Sequence, residues 1–95
     1  MRQRRSEKAG EARLTVHLAD GVAAGPVLRF TETGLEAHLD AEVPRDERHR
    51  FTLHLREGVV SGELFSLGQE GPLCRAQFVA LHPAAQALVA PLIDP

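Results

Sequence analysis

The chain has no tryptophan and no tyrosine, and its aromatic complement is four phenylalanines in 95 residues. Proteins that stack nucleobases use more aromatic surface than this. A net charge of -2 also offers no broad face for a phosphate backbone. DNA and RNA are therefore not expected as partners. Cysteine occurs once, at Cys74, which excludes an internal disulfide and fits a reducing compartment. The thiol sits in a strand-like run, where a buried and inert state is expected. No apolar run is long enough to span a bilayer, and the basic N-terminus lacks the apolar centre of a signal peptide. The sequence thus reads as cytoplasmic, with no membrane insertion.

Reaction chemistry is missing as well. There is no Gly-x-Ser-x-Gly elbow and no phosphate-cradling glycine loop. The five histidines, His17, His38, His49, His54 and His82, fall on different elements with no Cys/His pair at ligand spacing. They read as solvent-facing strand residues, with His38 and His54 both on the polar parity of their strands and so placed to be neighbours. Glu32, Glu36 and Asp40 read as a solvated face rather than a paired acid and base. No catalytic residue, metal site or cofactor is expected, and the chain does not read as an enzyme.

What is present is alternation. Residues 12–18 place Leu14, Val16 and Leu18 on one face, the mark of a half-buried strand. Asp20-Gly21 is a turn dipeptide, Gly25-Pro26 closes the connection, and residues 26–30 form a second strand. A third strand spans residues 35–41, with Leu35, Ala37 and Leu39 inward. Phe51, Leu53 and Leu55 alternate in a fourth, over residues 51–56. Residues 59–67 form a fifth, bent by a bulge at Gly62. Residues 69–72 are a turn. Residues 73–80 form the sixth strand, with Cys74, Ala76 and Phe78 on one face. Pro83 suits the first position of a helix over residues 84–90, which Pro91 ends or kinks. Leu81, Ala85, Leu88 and Leu92 share one face of it. Six short strands joined by tight turns predict a small antiparallel β-barrel with a C-terminal helix. Residues 1–11 read as a flexible basic arm, because no apolar residue after Met1 stands out as an anchor. Residues 12–95 then form the single domain.

The chain is organised around residues 27–39, where one strand ends, a polar corner runs from Thr31 to Gly34, and the next strand begins. The run Arg29-Phe30-Thr31-Glu32-Thr33-Gly34 resembles the second signature of the PilZ family, [D/N]-x-S-x-x-G. Thr31 stands for the serine and Gly34 matches. The segment from Ala76 to Ala85 resembles the family's closing strand and terminal helix, and the layout agrees from about Ala12 to Ile93. The resemblance implies a bacterial protein of cyclic di-GMP signalling. It also implies a ligand contact set of Arg4, Arg5, Lys8, Arg29, Thr31 and Gly34.

Two departures bear on that ligand. Arg29 replaces an acceptor with a group that only donates. The family's R-x-x-x-R signature becomes Arg4 with Lys8, and lysine offers a point charge where arginine offers a planar fork. The expected function is a PilZ-like regulatory or adaptor domain with weak or absent cyclic di-GMP binding, acting through a protein partner or homo-oligomer. The alternatives are a working cyclic di-GMP receptor, or an assembly subunit docking through its C-terminal helix. On the receptor reading, Arg29→Asp restores the acceptor and strengthens binding.

Overall fold

A computed structural model describes residues 5–93. Six strands form a closed antiparallel barrel: β1 (Arg13–Leu18), β2 (Gly21–Phe30), β3 (Gly34–His38), β4 (Arg48–Leu55), β5 (Gly58–Glu70) and β6 (Leu73–Leu81). Around the barrel the order is β1-β2-β3-β6-β5-β4, and β4 pairs with β1 to close the ring. A short helix α1 (Pro83–Val89) and a 3-10 turn (Ala90–Leu92) follow β6. The all-β barrel with a C-terminal helix is the architecture that the alternation predicts.

The inward parity forms the core. Leu14, Val16, Val27, Phe30, Phe51, Leu53 and Leu64 are almost wholly buried. Burying a side chain such as Phe30 contributes about 2–3 kcal/mol. No strand of a closed ring has an edge to protect. Among the described residues no helix is long and apolar enough to cross a membrane.

Element boundaries differ from the expectation where long-range pairing decides them. Gly25-Pro26 is not a connection: β2 runs unbroken from Gly21, and Gly25 and Pro26 pair with Leu14 and Arg13. Gly25 is needed because a β-carbon there would lie 1.7 Å from the His38 carbonyl oxygen. Such a close approach between backbones is open only to glycine. β3 stops at His38 rather than reaching residue 41, since the Leu39 and Asp40 amides turn to Pro72 and Ala24. β4 begins at Arg48, earlier than residue 51. β5 extends to Glu70, which leaves Gly71 and Pro72 as the turn, with Gly71 at φ 57°. Gly62 is not the bulge: it pairs regularly with Phe51 and Leu81, the shift between Glu63 and Leu64 puts its extra residue on β6, and β5 carries its own extra residue between Ser66 and Gly68.

Residues 5–12 pack onto the barrel. Ala9 and Ala12 belong to the core cluster, and the Ser6 amide donates to the Leu28 carbonyl at 2.6 Å. Ala9 supplies the apolar anchor that the sequence reading did not credit. Leu28 is the unpaired residue where the β2–β3 register shifts between Val27 and Arg29, which leaves its carbonyl free for Ser6.

At the other terminus, His82 caps α1: its Nδ1 accepts from the Ala84 amide at 3.1 Å, and Pro83 occupies the first turn. Pro91 converts the end of the helix into the 3-10 turn. Ala85 and Val89 are buried, and Leu81, Leu88 and Leu92 pack against the core. The apolar helix face is thus covered by the barrel.

Candidate functional site

The corner between β2 and β3 is a closed clasp. The Thr31 amide donates to the Gly34 carbonyl at 2.8 Å, and the Gly34 amide donates to Thr31 Oγ1 at 2.9 Å. The Phe78 amide donates to the Thr33 carbonyl at 2.8 Å, tying the corner to β6. A β-carbon on Gly34 would lie 1.9 Å from the Ala76 carbonyl oxygen. Thr31 and Gly34 are therefore brought together by the backbone, with the threonine hydroxyl already accepting a bond. A groove of about 390 Å³ opens beside the clasp, between Thr31, Glu32 and Thr33, Gln77 and Val79 on β6, and Val89 at the end of α1.

Arg29 lies outside that groove. It faces outward on β2, opposite Glu36, with Nε 3.8 Å from the carboxylate. Glu36 also accepts from Arg75 Nε at 2.9 Å, and Arg75 stands 3.8 Å from Glu70. The hydrogen bond to Glu36, followed by its charge, pushes the Arg75 pKa up. The result is a charge ladder across β2, β3 and β6 in which one carboxylate holds two guanidinium groups. Sequence parity placed Glu36 on the polar face. The partnership with Arg75 depends on β3 pairing with β6, which no local pattern announces.

The cationic residues of the arm are engaged too. The Arg5 guanidinium donates to the Ala12 carbonyl. Burial, then repulsion from Arg13, lowers its pKa, an effect that Glu11 partly opposes. Lys8 Nζ donates to the Ile93 carbonyl at 3.3 Å. Arg4 lies outside the described residues. Of the five expected ligand contacts among the described residues, Thr31 and Gly34 share one local structure. Arg5, Lys8 and Arg29 each bond elsewhere.

The histidines are dispersed. His38 pairs with Leu73, and His54 with Arg13 and Val59, so the two stand on strands that are not neighbours. Among the described residues no three His, Cys, Asp or Glu side chains come together as a metal site. One histidine departs from the solvent-facing expectation. The His49 side chain is 8% exposed, with Nε2 3.2 Å from the Pro44 carbonyl and 3.8 Å from Glu47. It follows the inward parity of Phe51 and Leu53, under the loop that precedes β4.

Cys74 is buried, as expected. Burial pushes its pKa up, an effect that Ser66 partly offsets. Ser66 Oγ is fully enclosed and has no hydrogen-bond partner of ordinary geometry, so the offset is a weak polar contact rather than a formed bond.

Comparison with known protein families, with characterised proteins and with solved structures returns no match.

Proposed function

We propose that this chain is a PilZ-like regulatory or adaptor domain of bacterial cyclic di-GMP-related signalling, with weak or absent nucleotide binding and an output through protein contacts. The observation that carries the reading is the corner. The Thr31–Gly34 clasp sits at the β2–β3 joint of a six-stranded barrel with a C-terminal helix, and it is built from the two residues that carry the resemblance. Gly34 is demanded there by the Ala76 carbonyl, so the corner is built independently of any ligand.

The state of the cations supports the second half of the proposal. A nucleotide that used Arg5 and Lys8 would first break their bonds to Ala12 and Ile93. One that used Arg29 would compete with Glu36. A lost polar pairing costs about 1–3 kcal/mol, roughly a tenfold to hundredfold loss in affinity. Docking through the helix is less well supported, because Ala85 and Val89 already face the barrel.

Calorimetric titration with cyclic di-GMP tests the reading. Absent or weak binding in physiological salt is the expected result, and submicromolar binding by the unmodified chain would overturn it. Glu36 changes the choice of variant. An aspartate at position 29 would face that carboxylate, so Arg29→Asn is the cleaner way to restore an acceptor. It should raise whatever affinity exists, and a fall would make Arg29 a ligand.

A further inference from the structure

The two register shifts between β5 and β6 have a shared consequence on the outside of the barrel. Val79 is left unpaired between Phe78 and Ala80, and Leu67 between Ser66 and Gly68. Both are exposed, at 41% and 45%. Bulges re-aim side chains and gather beside functional surfaces. Between them stands Phe65, half-buried on the outward parity of β5. Phe30 and Phe51 form the core and Phe78 packs against it, so Phe65 is the phenylalanine the core does not use. A chain with four aromatic residues has placed one on its outer wall.

Two arginines and one glutamate stand beside this patch on β4 and β5. Arg48 is directly opposite Phe65 on β4, and Arg50 is opposite Glu63. Both arginines are exposed, and neither makes an ion pair among the described residues. Glu63 offsets one of the two charges. Aromatic residues and arginine are the types enriched at the centres of protein interfaces.

We propose that the outer face of β5 and β6, centred on Phe65, docks an acidic peptide segment of a partner protein, in which carboxylates flank an apolar anchor. The anchor would cover Phe65, Leu67 and Val79, and the carboxylates would meet Arg48 and Arg50. The proposal rests on the adaptor reading above and adds the surface and the chemistry of the partner.

The test is selection from a random displayed peptide library on the full chain, in parallel with the double variant Arg48→Glu/Arg50→Glu. The wild type should enrich peptides with Asp or Glu within a few residues of Leu, Met or Phe. The double variant should bind those peptides at least tenfold more weakly and should enrich Lys and Arg instead. Phe65→Ser should weaken binding by a similar factor, and Leu67→Ser serves as a second variant if Phe65→Ser unfolds. Amide chemical-shift changes with the selected peptide should centre on Phe65 and Leu67 of β5 and on Arg48 and Arg50 of β4. Several outcomes overturn the proposal: no enrichment, enrichment without acidic residues, or a less than twofold change in the double variant. A dimer of the chain alone that Phe65→Ser disperses also overturns it, since the face would then belong to a second copy. Val79 also lines the groove beside Thr31, so acidic peptides that shift Thr31, Thr33 and Val89 but not Phe65 and Leu67 would overturn this surface while leaving the adaptor reading standing. Submicromolar cyclic di-GMP binding would overturn the weak-binding reading without moving the peptide result.

Discussion

Gly34 holds the corner by having no side chain. Its α-carbon lies against the Ala76 carbonyl so closely that any β-carbon forces two strands apart. Gly34→Ala should therefore cost about 3 kcal/mol, within the range of overpacked sites. Urea unfolding should show it, and a loss below about 0.5 kcal/mol would mean that the two backbones are not in contact. Cys74 makes a second prediction at this scale. Its folded pKa is raised, so the folded state keeps its proton after the unfolded chain has lost it. Its contribution is fully present below about pH 8.5, the ordinary thiol value, and is lost as pH rises through the higher folded value. Stability should fall on that alkaline limb, and Cys74→Ala should flatten the fall. A disulfide reagent should label native Cys74 no faster than the protein opens. Rapid labelling at neutral pH would sink the buried assignment.

At the scale of elements, the segment before β1 shows what pattern reading can and cannot reach. Ala9 is one small residue among charged neighbours, with no periodicity to mark it, yet it is 3% exposed in the core cluster. Ala9→Asp should place a carboxylate in an apolar site and cost about 3 kcal/mol. A change within 0.5 kcal/mol, read by thermal unfolding, would return residues 5–11 to the status of a loose arm. The strands were legible because burial imposes period two on them, and the helix because Pro83 and Pro91 bracket it. Gly25-Pro26 was misleading because its dipeptide signal is that of a turn, whereas the close approach of His38 that calls for glycine comes from a distant strand. Gly62 hinted at a bend, but the placing of the extra residues at Val79 and Leu67 was illegible for the same reason, since a register shift belongs to a pair of strands. Thr31 and Gly34 could be found from their motif. That Arg29 is held by Glu36 beside Arg75 follows only from the order of strands around the ring.

Over the whole molecule, the segments on either side of the barrel meet at one place. Ser6 bonds to Leu28, Ile93 bridges to Phe30, and Lys8 reaches from the first segment to the carbonyl of Ile93. All three contacts bear on the end of β2 that leads into the Thr31–Gly34 corner. Residues 5–12 and 90–93 should therefore open together rather than independently, as one weakly held unit on a more stable ring. Native-state amide exchange can separate this from a general loss of stability. In Ala9→Asp, the opening free energies at Ser6 and Ile93 should fall by similar amounts. Those at Leu53 and Val60, in the middle of β4 and β5, should follow only the global change. If Ser6 loses protection while Ile93 keeps it, the two segments are not coupled, and nothing that moves the first could be transmitted to the helix. If both fall together, any partner that displaces Lys8 also loosens the covering of the groove beside the corner, because Ile93 lines that groove.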